Sequence, residues 1–208
     1  DELPLLCKLQ TNKIKIENSI IIDENVISLN RFQKKVFDSS KTSNSISISA
    51  PTSSGKSFIL YQLLLDELKN SVITIVYIVP TRALISQVED DLRILLKENR
   101  IENVNLTTVP IHYVNNGETN LFVFTQERLH WYLLQSDNSK VDFLLVDEAH
   151  KIDNSNRGIL LQRKIEEVID NNPLVRLFFS SPFTSNPEIL LEKIGISDSK
   201  DTINTDFV

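Results

Sequence analysis

The sequence predicts an α/β domain built on a doubly wound, mostly parallel sheet with helices on both faces. Apolar, strand-like runs near Ile46, Ile73 to Val79, Val104 to Val109, Leu121 to Phe124, Phe143 to Val146 and Leu177 to Phe179 alternate with helical stretches. The run Phe143-Leu144-Leu145-Val146 is apolar without alternation, as a strand covered on both faces must be. At 208 residues and 41% hydrophobic composition, the chain can bury one such core and not a second. There is no internal repeat.

Taken in order, residues 1–28 read as an N-terminal extension in which the β-branched run Ile20 to Ile22 can add a strand or a small docking element; residues 29–208 read as the domain proper. Asn30 is placed to open a helix that carries Gln33 near its start. Ile46, Ile48 and Ala50 alternate as a strand. The loop Ala50-Pro51-Thr52-Ser53-Ser54-Gly55-Lys56-Ser57 follows, and then Phe58, Ile59, Leu60, Leu63, Leu64 and Leu68 recur at helical spacing. After the strand ending at Val79, Pro80-Thr81-Arg82-Ala83-Leu84 starts a helix running through Leu96. Its Lys, Glu and Asp residues between Glu89 and Arg100 read as a solvated face. Thr125 opens a further helix containing Gln126, Trp131 and Tyr132; the two aromatics could stack on bases, but partial burial in the core is the favoured reading. The apolar run to Val146 leads into Asp147-Glu148-Ala149-His150, and the strand Val175 to Phe179 ends in Ser180-Ser181-Pro182.

Two of these segments carry complementary chemistry. A glycine-containing loop between a strand and a helix can wrap phosphates with backbone N–H groups at the helix N-terminus. Thr52, Ser53, Ser54 and Gly55 would form that wrap, with Gly55 allowing close backbone approach; Lys56 would offer a point charge to β- and γ-phosphates, and Ser57 a hydroxyl to Mg²⁺. Ala50 stands where the general phosphate-loop pattern has its first glycine, so the flanking strand and helix carry the assignment. An acidic pair beyond the carboxyl end of a buried strand supplies the other half: Asp147 for Mg²⁺ and Glu148 to polarise an attacking water. Together they predict an ATP site.

Pro80-Thr81-Arg82 and Thr125-Gln126 both precede helices, where hydroxyl, guanidinium and N–H groups can grip a phosphate of nucleic acid without reading its sequence. The plainer reading makes Thr81 and Thr125 ordinary helix caps.

Ala50 to Ser57, Pro80 to Leu84, Thr125 to Leu129 and Asp147 to His150, in that order, resemble the motifs of superfamily 2 helicases of the DEAD/DEAH type. The wording is most similar to the Ski-like branch, as are Arg157-Gly158 and the text from Ser181 to Glu188. The resemblance runs over roughly Leu29 to Leu191 and implies the first of two RecA-like P-loop lobes, binding ATP and Mg²⁺ and the backbone of DNA or RNA, with a second lobe completing the machine. It assigns Lys56, Ser57, Asp147 and Glu148 the roles just derived. To these it adds Gln33 as a reader of the adenine edge, and His150 with Ser180 and Ser181 as couplers between hydrolysis and the nucleic-acid face. The family's usual S-A-T is replaced by Ser180-Ser181-Pro182 or Ser181-Pro182-Phe183. That departure leaves room for an ATP-dependent switch or scaffold lobe with weak or lost unwinding. A P-loop ATPase outside the helicases fits less well because of Pro80 to Leu84.

Composition bounds the rest. A net charge of −6 argues against a generally basic nucleic-acid coat and leaves only local contacts. The single Cys7 excludes an internal disulfide, and His112, His130 and His150 are scattered rather than set at metal-ligand spacing. No apolar run approaches the roughly 20 residues of a membrane span, so an intracellular, cytoplasmic chain is expected. The start at Asp1 and the lack of any Met lead to the expectation of a piece of a longer protein, one that by itself binds nucleotide weakly and neither hydrolyses it quickly nor unwinds.

Overall fold

The computed structural model describes residues 13, 16–22, 25–70, 73–111, 118–135, 140–151, 156–182, 192 and 200–204. Cys7, His112, Phe183 and the segment Ser185 to Glu188 lie outside them. Two short strands, β1 (Ser19–Ile22) and β2 (Asn25–Ser28), pair antiparallel as a separate two-stranded sheet. Ile20 from this pair, together with Leu29 just after it, is buried in the main core.

The main sheet has seven strands, all paired in parallel, in the order β5-β6-β4-β7-β8-β3-β9. They are β3 (Ser45–Ser49), β4 (Thr74–Ile78), β5 (Val104–Thr107), β6 (Thr119–Phe124), β7 (Phe143–Val146), β8 (Arg176–Ser181) and β9 (Lys200–Asn204). The helices are α1 (Arg31–Thr42), α2 (Lys56–Asn70), α3 (Arg82–Glu98), α4 (Gln126–Leu134) and α5 (Asn156–Asn171).

The period-2 alternation of the strands divides the core into two layers. Ile75, Tyr77, Val123, Leu145 and Phe178 face a layer with Val36 of α1, Leu64 of α2 and Leu92 of α3. Val76, Ile78, Phe124, Leu144 and Phe179 face the opposite layer with Leu129 of α4 and Ile165 of α5. A strand buried on both faces needs apolar side chains at every position, which is why β7 reads Phe-Leu-Leu-Val. Ring stacking adds to the layers: Phe143 and Phe178 lie 4.9 Å apart, and Phe122 and Phe124 lie 5.0 Å apart.

Two expectations change. Trp131 is exposed at 60% while its neighbour Tyr132 is buried, because consecutive helical residues point about 100° apart and only Tyr132 faces Phe122, at 4.9 Å. The other is the tail: residues 200–204 form β9, pairing with the outer side of β3. Lys200-Asp201-Thr202-Ile203-Asn204 carries one apolar residue, so no period could mark it; Ile203, fully buried, supplies its anchor. We expect Ile203→Ala to cost about 2 kcal/mol, seen as a lower urea midpoint at unchanged slope. An unchanged midpoint would mean that β9 adds nothing to the sheet.

Candidate functional site

β8 lies between β3 and β7, so the loop after β3 and the acidic turn after β7 meet across the end of β8. The Lys56 side chain makes that connection: it is buried, and its Nζ donates to the Ser181 carbonyl at 2.9 Å. The same carbonyl accepts the Ala50 N–H at 3.2 Å, and Ser181 Oγ donates to the Ile48 carbonyl at 3.2 Å. The segment Ser180-Ser181 is therefore sewn directly to the loop.

Thr52–Ser54 form a single 3₁₀ turn, and Gly55 follows with φ of 77°, in the left-handed region that glycine enters without strain. A Cβ at Gly55 would stand 2.5 Å from Gln33 Nε2 and displace that amide, so the dihedral angle demands glycine and the contact with Gln33 adds to the preference. Ser54 Oγ closes the turn by donating to the Pro51 carbonyl at 2.7 Å. The carbonyls of Ser54 and Gly55 point toward α1, where Asn30 Nδ2 donates to Ser54 at 3.1 Å and Gln33 Nε2 to Gly55 at 3.3 Å. Ser53 and Ser57 are exposed; the Thr52 side chain lies outside the described atoms.

Gln33 is the third residue of α1 and completes a capping box with Asn30. The Gln33 N–H donates to Asn30 Oδ1 at 2.8 Å, and Gln33 Oε1 accepts the Asn30 N–H at 2.9 Å. Both ends of this amide are thus engaged, one in its own helix start and one on the loop. The capping box is written in the sequence as Asn30-x-x-Gln33.

Asp147 and Glu148 close the site. Asp147 N–H bonds the Ile78 carbonyl at 2.9 Å, extending the ladder by one residue, and Asp147 Oδ1 accepts the Glu148 N–H at 2.9 Å. Glu148 has φ of 55°, a conformation that costs a non-glycine residue about 1–2 kcal/mol. His150, in the 3₁₀ turn Ala149–Lys151, brings Nε2 to 3.5 Å from Glu148 Oε2, while its Nδ1 is buried and unpaired. Burial raises the Asp147 carboxyl above its ordinary value and lowers the Lys56 ammonium below its own; the attraction between Lys56 and the acidic pair opposes both shifts without cancelling them.

A cavity of about 270 Å³ extends from Ser57, Asp147 and Glu148 between α2 and α3. Tyr61, Tyr77 and Asp91 also line it. Tyr61 Oη donates to Asp91 Oδ2 at 3.2 Å, and burial, with Asp147 nearby, holds the Tyr77 hydroxyl well above its ordinary pKa. The pairing register accounts for the nearness of Tyr77 to Asp147. Tyr77 lies opposite Leu145, and Asp147, two residues beyond Leu145, shares its face. Asp91 is thus partly withdrawn from the face that the charge pattern marks as solvated.

The predicted nucleic-acid residues separate into two kinds. Thr81 and Arg82 are exposed at the start of α3, whereas Thr125 and Gln126 are buried at the start of α4. Both threonines sit at the N-cap positions of their helices, but neither hydroxyl makes a cap hydrogen bond. Arg157, in the first turn of α5, reaches both starts. Its Nε donates to Glu127 Oε1 at 2.8 Å, and its Nη2 to Glu127 Oε2 at 3.4 Å and to the Pro80 carbonyl at 3.3 Å.

Among the described residues, no group of three or more His, Cys, Asp or Glu stands at metal-holding geometry, and no helix is long and apolar enough to cross a membrane.

A buried carboxylate with a raised pKa costs the fold stability wherever it is ionised. We therefore expect Asp147→Asn to raise stability at neutral pH by about 1 kcal/mol, or roughly 2–4 °C in melting temperature. The gain should be full above the raised folded-state pKa and vanish below the ordinary carboxylate range, where both forms are neutral. A lower melting temperature at neutral pH would show that Lys56 and the hydrogen bonds outweigh burial.

Comparison with known proteins gives the family and the fold. The DEAD/DEAH box helicase family matches residues 30–190. An "activating signal cointegrator 1 complex subunit 3-like" protein of Dictyostelium discoideum is 30% identical over 190 residues, 80% of this chain and 8% of that protein. "Putative helicase 7" of Sulfolobus islandicus filamentous virus is 34% identical over 146 residues, 67% of this chain and 24% of that protein. The chain thus spans under a quarter of the length of these relatives. Among solved structures, the DUF1998 helicase MrfA matches with a TM-score of 0.63 at 16% identity, over 85% of this chain and 30% of that one. The UvsW helicase of bacteriophage T4 gives 0.56 at 18%, over 97% and 68%. The structural matches establish the RecA-like fold, and the family match over most of the chain settles its membership: the chain belongs to the DEAD/DEAH box helicases.

Proposed function

We propose that this chain is the ATP-binding lobe of a nucleic-acid-dependent ATPase, a helicase or translocase, that hydrolyses ATP with Mg²⁺. The observation that carries this reading is the gathering of Lys56, Ser57, Asp147 and Glu148 from two separate loops at one end of the parallel sheet. The turn of Ser54 and Gly55 carbonyls toward α1 fits a phosphate cradle, since it leaves the start of α2 free to present N–H groups. Ser57 and Asp147 would hold Mg²⁺, which supplies charge neutralisation at the phosphate oxygens. Lys56 adds positive charge beside the β- and γ-phosphates; the low local polarity that depresses its pKa also strengthens that attraction. Glu148 orients the attacking water and accepts its proton as the γ-phosphoryl group passes to the water oxygen and the bond to ADP breaks. Gln33 holds the loop and, with its bonds to the loop exchanged, would read an adenine edge.

Thr81 and Arg82 contact a phosphate of DNA or RNA directly, with the N–H groups at the start of α4 as a second grip behind Thr125 and Gln126. His150, Ser180 and Ser181 pass the state of the γ-phosphate to that face, through Glu148 on one side and Lys56 on the other. A second RecA-like lobe completes the nucleic-acid track. The absence of a threonine from Ser180-Ser181-Pro182 favours one variant of this reading, an ATP-driven switch or scaffold with little unwinding.

Glu148→Gln should lower ATP turnover by about 10²–10⁴-fold while leaving nucleotide affinity within about twofold. Lys56→Ala should weaken nucleotide binding itself. Turnover that survives Glu148→Gln would place the catalytic base elsewhere.

A further inference from the structure

We propose that Arg157 is a positioning residue that fixes the two phosphate-gripping helix starts, α3 and α4, relative to one another. This rests on the nucleic-acid reading given above and adds to it the device that sets the spacing of the grips. Arg157 belongs to α5, which touches neither ATP nor the strand in that reading, yet its guanidinium is spent on the other two helices. The Pro80 carbonyl that it binds immediately precedes Thr81, the N-cap of α3. Glu127, held through two hydrogen bonds, is in the first turn of α4. With its amide oriented so that donors meet acceptors, Gln126 also accepts from Arg157, at 2.7 Å from Nε and 3.0 Å from Nη2.

The planar, forked guanidinium suits this task, because it can bind a carboxylate side-on while another N–H reaches a carbonyl. Glu127 carries an electrostatic trace of the contact: burial pushes its carboxyl up, but the Arg157 hydrogen bond helps take it below its ordinary value. The arrangement also explains the burial of Gln126, whose side chain serves Arg157 rather than a ligand. A simple alternative is that Arg157, half exposed, grips a phosphate itself. The two readings differ in what Glu127 does: as an anchor it supports binding, and as a competing anion it opposes binding.

The test is binding of a fluorescent single-stranded oligonucleotide to the complete protein across a salt series, for the unaltered protein, Arg157→Gln, Arg157→Lys and Glu127→Gln. Nucleotide affinity and melting temperature are followed alongside. We expect Arg157→Gln and Glu127→Gln each to weaken oligonucleotide binding about tenfold, with the salt slope unchanged, nucleotide affinity unchanged and no recovery in Arg157→Lys. Tighter binding by Glu127→Gln, with a salt slope reduced by about one in Arg157→Gln, would make Arg157 a direct phosphate contact and overturn the proposal. Binding unchanged in both variants would overturn it as well, as would parallel losses of nucleotide affinity and melting temperature, which mark a general structural role. If the unaltered protein binds no oligonucleotide, the nucleic-acid reading itself fails and this inference with it.

Discussion

The hydrogen bond from Lys56 to the Ser181 carbonyl is the contact on which the rest of this site depends. It exists because β8 separates β3 from β7, so that anything joining their loops must cross the end of β8. An ammonium group there is withdrawn from water, and the carbonyl, with Asp147 and Glu148 nearby, offsets part of that cost. The result is a charged centre held by the sheet rather than by flexible surface chain. Its two signs are poised to rearrange when a polyanion enters. In the proposed reading Lys56 would turn N–H donors from the Ser181 carbonyl toward a phosphate, which would link nucleotide arrival to the state of the segment after β8. That link does not need the threonine that the family's third motif usually provides.

The same logic of support from behind recurs around the centre. Asn30 and Gln33 hold the loop carbonyls from the start of α1, and Arg157 ties the starts of α3 and α4 from α5. The supporters lie on or at the start of helices, and the groups they hold lie in turns or at helix starts. Functional groups on turns gain precision when packed elements fix them. The strained backbone at Glu148 belongs to this pattern: a left-handed residue persists only where its surroundings overdetermine it.

Much of this was legible in the chain. All six expected strands of the sheet are present, because burial of one face dictates an alternating run and burial of two an unbroken one. The loop and the acidic turn could be read because their chemistry is packed into adjacent residues. What could not be read depends on register and on partners distant in sequence. Tyr77 looks like any core aromatic until the pairing with Leu145 brings its hydroxyl near Asp147. Arg157 has no local signal that its guanidinium reaches Pro80 and Glu127. Thr125 and Gln126 have the residue types of surface contacts, yet the packing of α4 against α5 buries them. β9 escaped because an edge strand anchored by one isoleucine has no periodicity to detect.

The central claim is that one end of this sheet joins ATP hydrolysis to nucleic-acid binding. The most direct test is ATP turnover by the complete protein with and without single-stranded DNA, single-stranded RNA and duplex DNA, each compared with Glu148→Gln. The account predicts Glu148-dependent turnover that rises when one of these polymers is added and falls back as salt weakens its binding. Glu148-dependent turnover indifferent to all three would contradict it and leave a nucleotide site without a nucleic-acid function.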